Sequence, residues 1–205
     1  MNNTLNKYLE TVTKASKKIP QHRQVVLKKL IDYVVKKKGN CGLIYVCTHN
    51  SRRSQFSQVW SFIVSRSLGL NNIRSFSAGT EETAFNERAI ESLLRAGVKI
   101  EKAGIGPNFQ YKINAADDLK SLLTFSKVID DSINPINNFA SVMTCSHADD
   151  NCPIIVGGDD RIPVRYVDPK AHDDTDKEEE AYDERSFQIA SELTYVFTEA
   201  KKILN

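Results

Sequence analysis

Apolar residues fall at helical spacing twice before any strand pattern begins: at Leu5, Tyr8, Leu9 and Val12, then at Val26, Leu27, Leu30, Ile31 and Val34. Pro20 suits the first turn of the second stretch, and Lys36 to Lys38 followed by Gly39 suit its end. Residues 1–40 therefore read as a helical N-terminal extension, packed on a main domain of residues 41–205. In that domain GLIYVC (42–47) reads as a buried strand and SQFSQVWSFIVSRSL (54–68) as a helix. NIRSFSAG (72–79) is a second strand, and NERAIESLLRAG (86–97) a helix capped by Asn86 and stopped at Gly97. A β-α-β-α order packs as a parallel sheet with helices on both faces.

Residues 101–139 are less regular; YKI (111–113) and LLTFSKVI (122–129) suit short extra strands, paired as a hairpin. FASVMTC (139–145) and IPVRYVD (162–168) bring the expected parallel sheet to four strands. Thr175, three residues before Glu178, suggests a capping box. No Gly or Pro occurs from Ala171 onward, and an apolar stripe runs through Ile189, Leu193, Val196, Phe197, Ala200 and Leu204, so a long helix closes the chain. The acidic run DDTDKEEE (173–180) reads as its solvated entry, where negative charge suits the helix dipole.

Composition changes this picture little. The 205 residues are 40% hydrophobic and 26% charged, ordinary for a globular chain. No apolar run approaches the roughly 18 residues of a membrane span, and the N-terminus lacks a signal-peptide core, so a cytoplasmic protein with no membrane partner is expected. The net charge of +2 is uneven: residues 1–40 carry about +8 and the remainder about −6. Lysines scattered along helices, without interleaved aromatics, favour a solvated face over a nucleic-acid surface. The four cysteines, Cys41, Cys47, Cys145 and Cys152, are too few for a disulfide scaffold at this length.

The chemistry gathers at VCTHNSRRSQ (46–55), between a buried strand and a helix. Cys47, five intervening residues, Arg53 and Ser54 have a physical logic there. The amides of Thr48, His49, Asn50, Ser51, Arg52 and Arg53, with the helix N-terminus, can form a nest for a tetrahedral oxyanion. Arg53 adds a planar fork for two oxygens. Such positive surroundings lower a thiol pKa, and Ser54 can donate to the sulfur, which makes Cys47 a nucleophile rather than a small core residue.

These residues resemble the low-molecular-weight protein tyrosine phosphatase superfamily, through CTHNSRRSQ, the SAG of FSAG (77–79) and the late Asp168-Pro169. The resemblance implies a leaving-group acid at Asp168. TCSHADDNCP (144–153), with Cys145 and Cys152 seven residues apart, resembles the segment that carries the two redox cysteines of thioredoxin-coupled arsenate reductases. Buried, inert cysteines are the alternative; structural zinc suits the spacing poorly, and Cys41 fits no motif.

The implied function is reduction of arsenate to arsenite, without a cofactor. Cys47 attacks arsenic, Cys145 then attacks Cys47, Cys152 resolves the disulfide, and a thioredoxin-like partner reduces it. The rivals are phosphomonoester hydrolysis by Cys47, Arg53 and Asp168 alone, and a non-enzymatic phosphate-binding module. The likeness covers 42–98 and 139–204 and leaves out 1–40 and most of 101–138. His49 stands where the family loop usually has a Gly with positive φ, Arg52 where a Cys is common, and Lys170 where the phosphatases have Tyr. Gln58 replaces a Glu that, in a subset of the reductases, helps the equivalents of Asn50 and Ser77 bind potassium, which leaves at most a weak potassium site.

Overall fold

The computed structural model describes residues 3–104, 106–114, 121–151 and 155–205. Helices α1 (Asn3–Ser16) and α2 (Gln21–Lys36) precede strand β1 (Cys41–Cys47), helix α3 (Arg53–Ser67), strand β2 (Ile73–Gly79) and helix α4 (Glu87–Arg95). Pro20 stands at the N-cap of α2, and Asn86 caps α4 by accepting from the Ala89 N–H. Strands β3 (Lys99–Ala103), β4 (Gln110–Asn114) and β5 (Leu122–Thr124) follow, then β6 (Phe139–Met143), helix α5 (Ser146–Asn151) and β7 (Asp160–Pro163). A 3-10 turn at Pro169–His172 leads into α6 (Glu178–Leu204).

The main sheet has the order β2-β1-β6-β7 and every pairing in it is parallel. Alternation along β1 divides the core. Leu43 and Tyr45 enter a large cluster with residues of α2, α3 and α6, such as Leu30, Trp60, Phe197 and Ile189. Ile44 and Val46 enter a smaller cluster on the opposite face, with Met143 and Ala148 of α5. Both faces are covered, so every residue of β1 and β6 is buried. The N-terminal helices belong to the larger core: Leu5, Val12, Leu27 and Val34 are all buried in it. Arg23 of α2 forms a two-pronged bond to Glu192 of α6, at 2.9 and 2.6 Å.

Four expectations change. The expected hairpin in 101–139 is a three-stranded antiparallel sheet, because KIEKA also pairs, with β4. The strand expected at 162–168 lies at Asp160–Pro163. β6 turns into α5 after Met143, so residues 164–168 have no strand to pair with and keep only bonds such as Val164 N–H to Met143 O and Tyr166 N–H to Thr144 O. The capping box is displaced. Thr175 Oγ1 donates to the His172 carbonyl, and Glu178 reaches back to the Asp174 N–H, so α6 starts two residues later than the box implies, at Glu178. The acidic entry is also not simply solvated, since Arg88 of α4 pairs with Asp174 and Glu178.

Candidate active site

β1 and β6 are neighbours in the sheet, and the segments that leave their C-terminal ends form one site. From β1 the chain runs through 48–52 into α3; from β6 it runs through Thr144 and Cys145 into α5. Crevices at the carboxyl ends of parallel strands, where neighbouring chains diverge, are where α/β sheets hold ligands. Gly79, at the same end of β2, sets the shape of the first loop. A Cβ there would lie 2.4 Å from Glu81 O, 2.7 Å from Thr48 O and 2.8 Å from Asn50 N. All three are backbone atoms, so only glycine fits.

Cys47 is buried, with its sulfur 3.0 Å from Ser54 Oγ. Ser54 Oγ also accepts from Asn50 Nδ2 at 2.8 Å. The serine has one proton, and with Asn50 as donor on one side that proton is free for the Cys47 sulfur. Asn50 takes a left-handed backbone at φ 46°. The positive φ expected at His49 thus falls one residue later, on a residue type that tolerates it. Loop carbonyls turn outward to other elements: Thr48 O accepts from the Glu81 N–H, His49 O from Thr83 and Ser126, and Asn50 O from Gln55. Among the described residues no acceptor takes the backbone N–H of His49, Asn50, Ser51 or Arg52. The Ser51 hydroxyl donates to the Ala84 carbonyl at 2.7 Å and fixes the far side of the loop.

Arg52 and Arg53 converge on one carboxylate. Asp168 accepts from Arg53 Nη2 at 2.7 Å and from Arg52 Nε at 2.9 Å. Arg53 Nη1 donates to the Tyr166 carbonyl at 3.1 Å, while its buried Nε has no hydrogen-bond partner among the described residues. Burial works to raise the Asp168 pKa, but the Arg53 and Arg52 charges and the Lys170 N–H outweigh it, so the carboxyl titrates below its ordinary value. Two guanidinium groups on a short loop with open amides can hold a tetrahedral dianion.

Cys145 is buried in the same small cluster as Cys47. Thr48 Oγ1 lies 3.6 Å from Cys145 Sγ and 3.3 Å from His147 Nδ1, which ties the two loops together. The Ala148 N–H donates to Cys145 Sγ at 3.3 Å as α5 begins. Cys152 and Pro153 lie outside the described residues. Cys41 sits at the start of β1, where burial pushes its thiol up to about 12 and suits a structural role.

Residues 124–127, outside the family resemblance, are the part of the site that the sequence reading missed. Ser126 Oγ donates to His49 O at 3.0 Å, the Lys127 N–H donates to Asn50 Oδ1 at 2.9 Å, and Thr124 Oγ1 donates to Gln58 Oε1 at 2.9 Å. The signal was present as polar side chains at Thr124, Ser126 and Lys127 inside an apolar run. The expected potassium position also reads differently. Ser77 Oγ donates to Gln58 Oε1 at 2.5 Å and lies 3.4 Å from both Asn50 Oδ1 and the Lys127 ammonium. A potassium ion there would sit against a like charge.

Comparison with known proteins agrees with the motifs. No family model matches the chain. Arsenate reductase 1 of Staphylococcus saprophyticus is 32% identical over 113 residues, 55% of this chain and 66% of that protein. Arsenate reductase 2 of Staphylococcus haemolyticus is 29% identical over 113 residues, and the arsenate reductase of Staphylococcus aureus strain Newman 30% over 111 residues. The matched region spans just under two thirds of these relatives' own length. Among solved structures, a low-molecular-weight phosphotyrosine phosphatase of Vibrio cholerae O395 covers 79% of this chain and 97% of its own at TM-score 0.49 and 16% identity. A YwlE mutant of Bacillus subtilis covers 78% of this chain and 99% of its own, at TM-score 0.47 and 13% identity. By sequence, the chain is related to arsenate reductases, and its motifs at 47–54, 77–79 and 168–169 resemble those of the low-molecular-weight protein tyrosine phosphatase superfamily.

Proposed function

We propose that the chain reduces arsenate to arsenite in the cytoplasm, with electrons delivered by a thioredoxin-like dithiol partner. The observation that carries this reading is the second thiol: Cys145 Sγ lies 3.6 Å from Thr48 Oγ1, the residue next to the nucleophile. A phosphatase needs Cys47, Arg53 and Asp168 but has no use for a thiol there.

Arsenate enters as a dianion and competes with Asp168 for the Arg52 and Arg53 guanidinium groups. The added negative charge favours protonation of Asp168, which can then act as acid. Cys47 sulfur attacks arsenic with Ser54 donating to it, and Asp168 protonates the departing oxygen, which leaves as water. The loop amides and Arg53 hold the remaining oxygens. Cys145 sulfur then attacks Cys47 sulfur. A Cys47–Cys145 bond forms, the sulfur–arsenic bond breaks, and its electron pair stays on arsenic, which leaves as arsenite. Cys152 attacks Cys145, frees Cys47, and leaves a Cys145–Cys152 disulfide for the partner dithiol to reduce.

Arsenate-dependent oxidation of NADPH, coupled through thioredoxin and its reductase, tests the proposal against hydrolysis of a generic aryl phosphate. Arsenate turnover that needs thioredoxin is expected. Aryl phosphate hydrolysis with no arsenate turnover under any dithiol would leave the phosphatase reading, which Cys47, Arg53 and Asp168 support without Cys145.

A further inference from the structure

Lys127 is 1% exposed, and among the described residues it forms no ion pair. Its ammonium touches neutral partners: Ser77 Oγ and Phe125 O, each at 3.4 Å, and the Phe125 ring at 4.9 Å to the centroid. A buried, unpaired cation is costly, and folds keep one where something offsets the cost. Its surroundings point to what that is. The Lys127 N–H bonds Asn50 Oδ1, Asn50 Nδ2 bonds Ser54 Oγ, and Ser54 Oγ bonds Cys47 Sγ, at 2.9, 2.8 and 3.0 Å. Ser77 lies between the ammonium and Asn50 Oδ1. The charge thus reaches the oxyanion loop through Ser77 and Asn50, whereas Arg52 and Arg53 engage Asp168.

We propose that Lys127 is a positioning residue for the oxyanion site: its buried charge orients the Ser77–Asn50–Ser54 chain and adds a third positive charge behind the bound dianion. The dianion is then the counter-charge that the lysine lacks. This rests on the proposed role of the loop and extends it to a residue that touches neither substrate nor sulfur.

Burial brings the Lys127 ammonium down to about 8 against the pull of Asp131. The charge is present at neutral pH and fades above that. The other titratable groups facing the loop are Cys47, His49, Glu81, His147 and Asp168, with Asp131 on the lysine's own segment.

Sulfate is the probe, because its charge is constant across this range. Protection of Cys47 from iodoacetamide by sulfate is measured in the wild type and in Lys127→Met, which keeps the length and removes the charge. At pH 7 the half-protecting sulfate concentration should rise roughly tenfold in the variant, and the gap should close as pH passes from about 8 to about 10. The variant should also melt at the same or a higher temperature, since a buried charge is gone. That combination separates a site role from a structural one. Half-protection within about twofold of the wild type overturns the inference.

If Lys127→Met does not fold, sulfate binding by calorimetry to Cys47→Ser, which has no nucleophilic thiol to titrate, decides instead. Affinity should fall roughly tenfold between pH 7 and pH 9.5, and a flat profile overturns the inference. No protection of wild-type Cys47 by sulfate at any pH removes the oxyanion site itself, and with it both this inference and the proposed function.

Discussion

Asp168 lies 2.7 Å from Arg53 Nη2, so the residue proposed as the acid is, in this structure, the anion that the arginine holds. Arg52 binds the other oxygen at 2.9 Å. An acid held this way is ionised near neutral pH, and it can give a proton only after an oxyanion has drawn the arginines away. Binding and protonation are therefore coupled through one pair of guanidinium groups.

Asp168→Asn should slow both arsenate reduction and aryl phosphate hydrolysis by roughly 10²–10⁴, as expected for loss of a general acid. Its effect on stability has a defined sign. The folded carboxyl titrates below its unfolded value of about 3.9, so its contribution is complete above that value and is lost as pH falls through the lower, folded one. Urea unfolding across a pH series should show the wild type ahead of Asp168→Asn at pH 7 and the difference shrinking as pH falls below about 3.9.

The cysteines separate the two activities. Cys47→Ser should abolish both. Cys145→Ser and Cys152→Ser should each abolish multiple-turnover arsenate reduction and leave aryl phosphate hydrolysis intact. Loss of hydrolysis in Cys145→Ser would mean that the second thiol shapes the loop rather than relays electrons.

Among the described residues Ser54 has only Cys47 left to donate to, because Asn50 already donates to it. Ser54→Ala should slow alkylation of Cys47 at pH 7 by about tenfold or more, the weight of one hydrogen bond to a charged group. The rate of iodoacetamide modification measures it directly. An unchanged rate would turn the proton the other way.

Gly79→Ala sets a Cβ against three backbone atoms that cannot rotate aside. Destabilisation of about 1–3 kcal/mol is expected from the overpacking, with sulfate protection of Cys47 lost as the loop is pushed out of shape. Urea unfolding and alkylation read the two effects separately.

Arg23, on α2, bonds the Arg165 carbonyl at 3.3 Å and lies over the Tyr166 ring, which links the N-terminal helices to the segment leading to Asp168. Its partner Glu192 is 2% exposed. Arg23→Ala leaves that carboxylate buried and unpaired and should cost about 3–5 kcal/mol. The double variant Arg23→Met, Glu192→Leu should recover most of the stability in denaturant melts while activity stays low, because the clasp on 165–166 is still missing.

Much of this was legible from residue patterns. Period-3.6 stretches marked the helices and short apolar runs the main strands, and Cys47, Arg53 and Ser54 stood at a strand-to-helix junction where the structure has them. Helix α5 spans SHADDN (146–151), a stretch too short for an apolar period to mark it. The supports were harder to see. Ser126 and Lys127 are more than 70 residues from the loop they hold, and no local periodicity reports a contact at that separation. β7 begins two residues before and ends five residues before the expected strand, because IPVRYV is apolar enough for a strand, whereas its pairing ends where β6 turns away. Thr175 satisfied a capping pattern, but its hydroxyl serves the His172 carbonyl in the turn before the helix.

The outward-turned carbonyls have a consequence for selectivity. Each is tied to a different element, so the floor of the loop is a rigid mould for a tetrahedron with two charges, and phosphate fits that description as well as arsenate does. Phosphate should therefore be a competitive inhibitor that the binding step cannot reject. Discrimination has to come one step later, when Cys145 attacks: arsenic can accept the electron pair and leave as arsenite, whereas phosphorus cannot be reduced by a thiol. The enzyme would tell the two elements apart by redox potential rather than by shape.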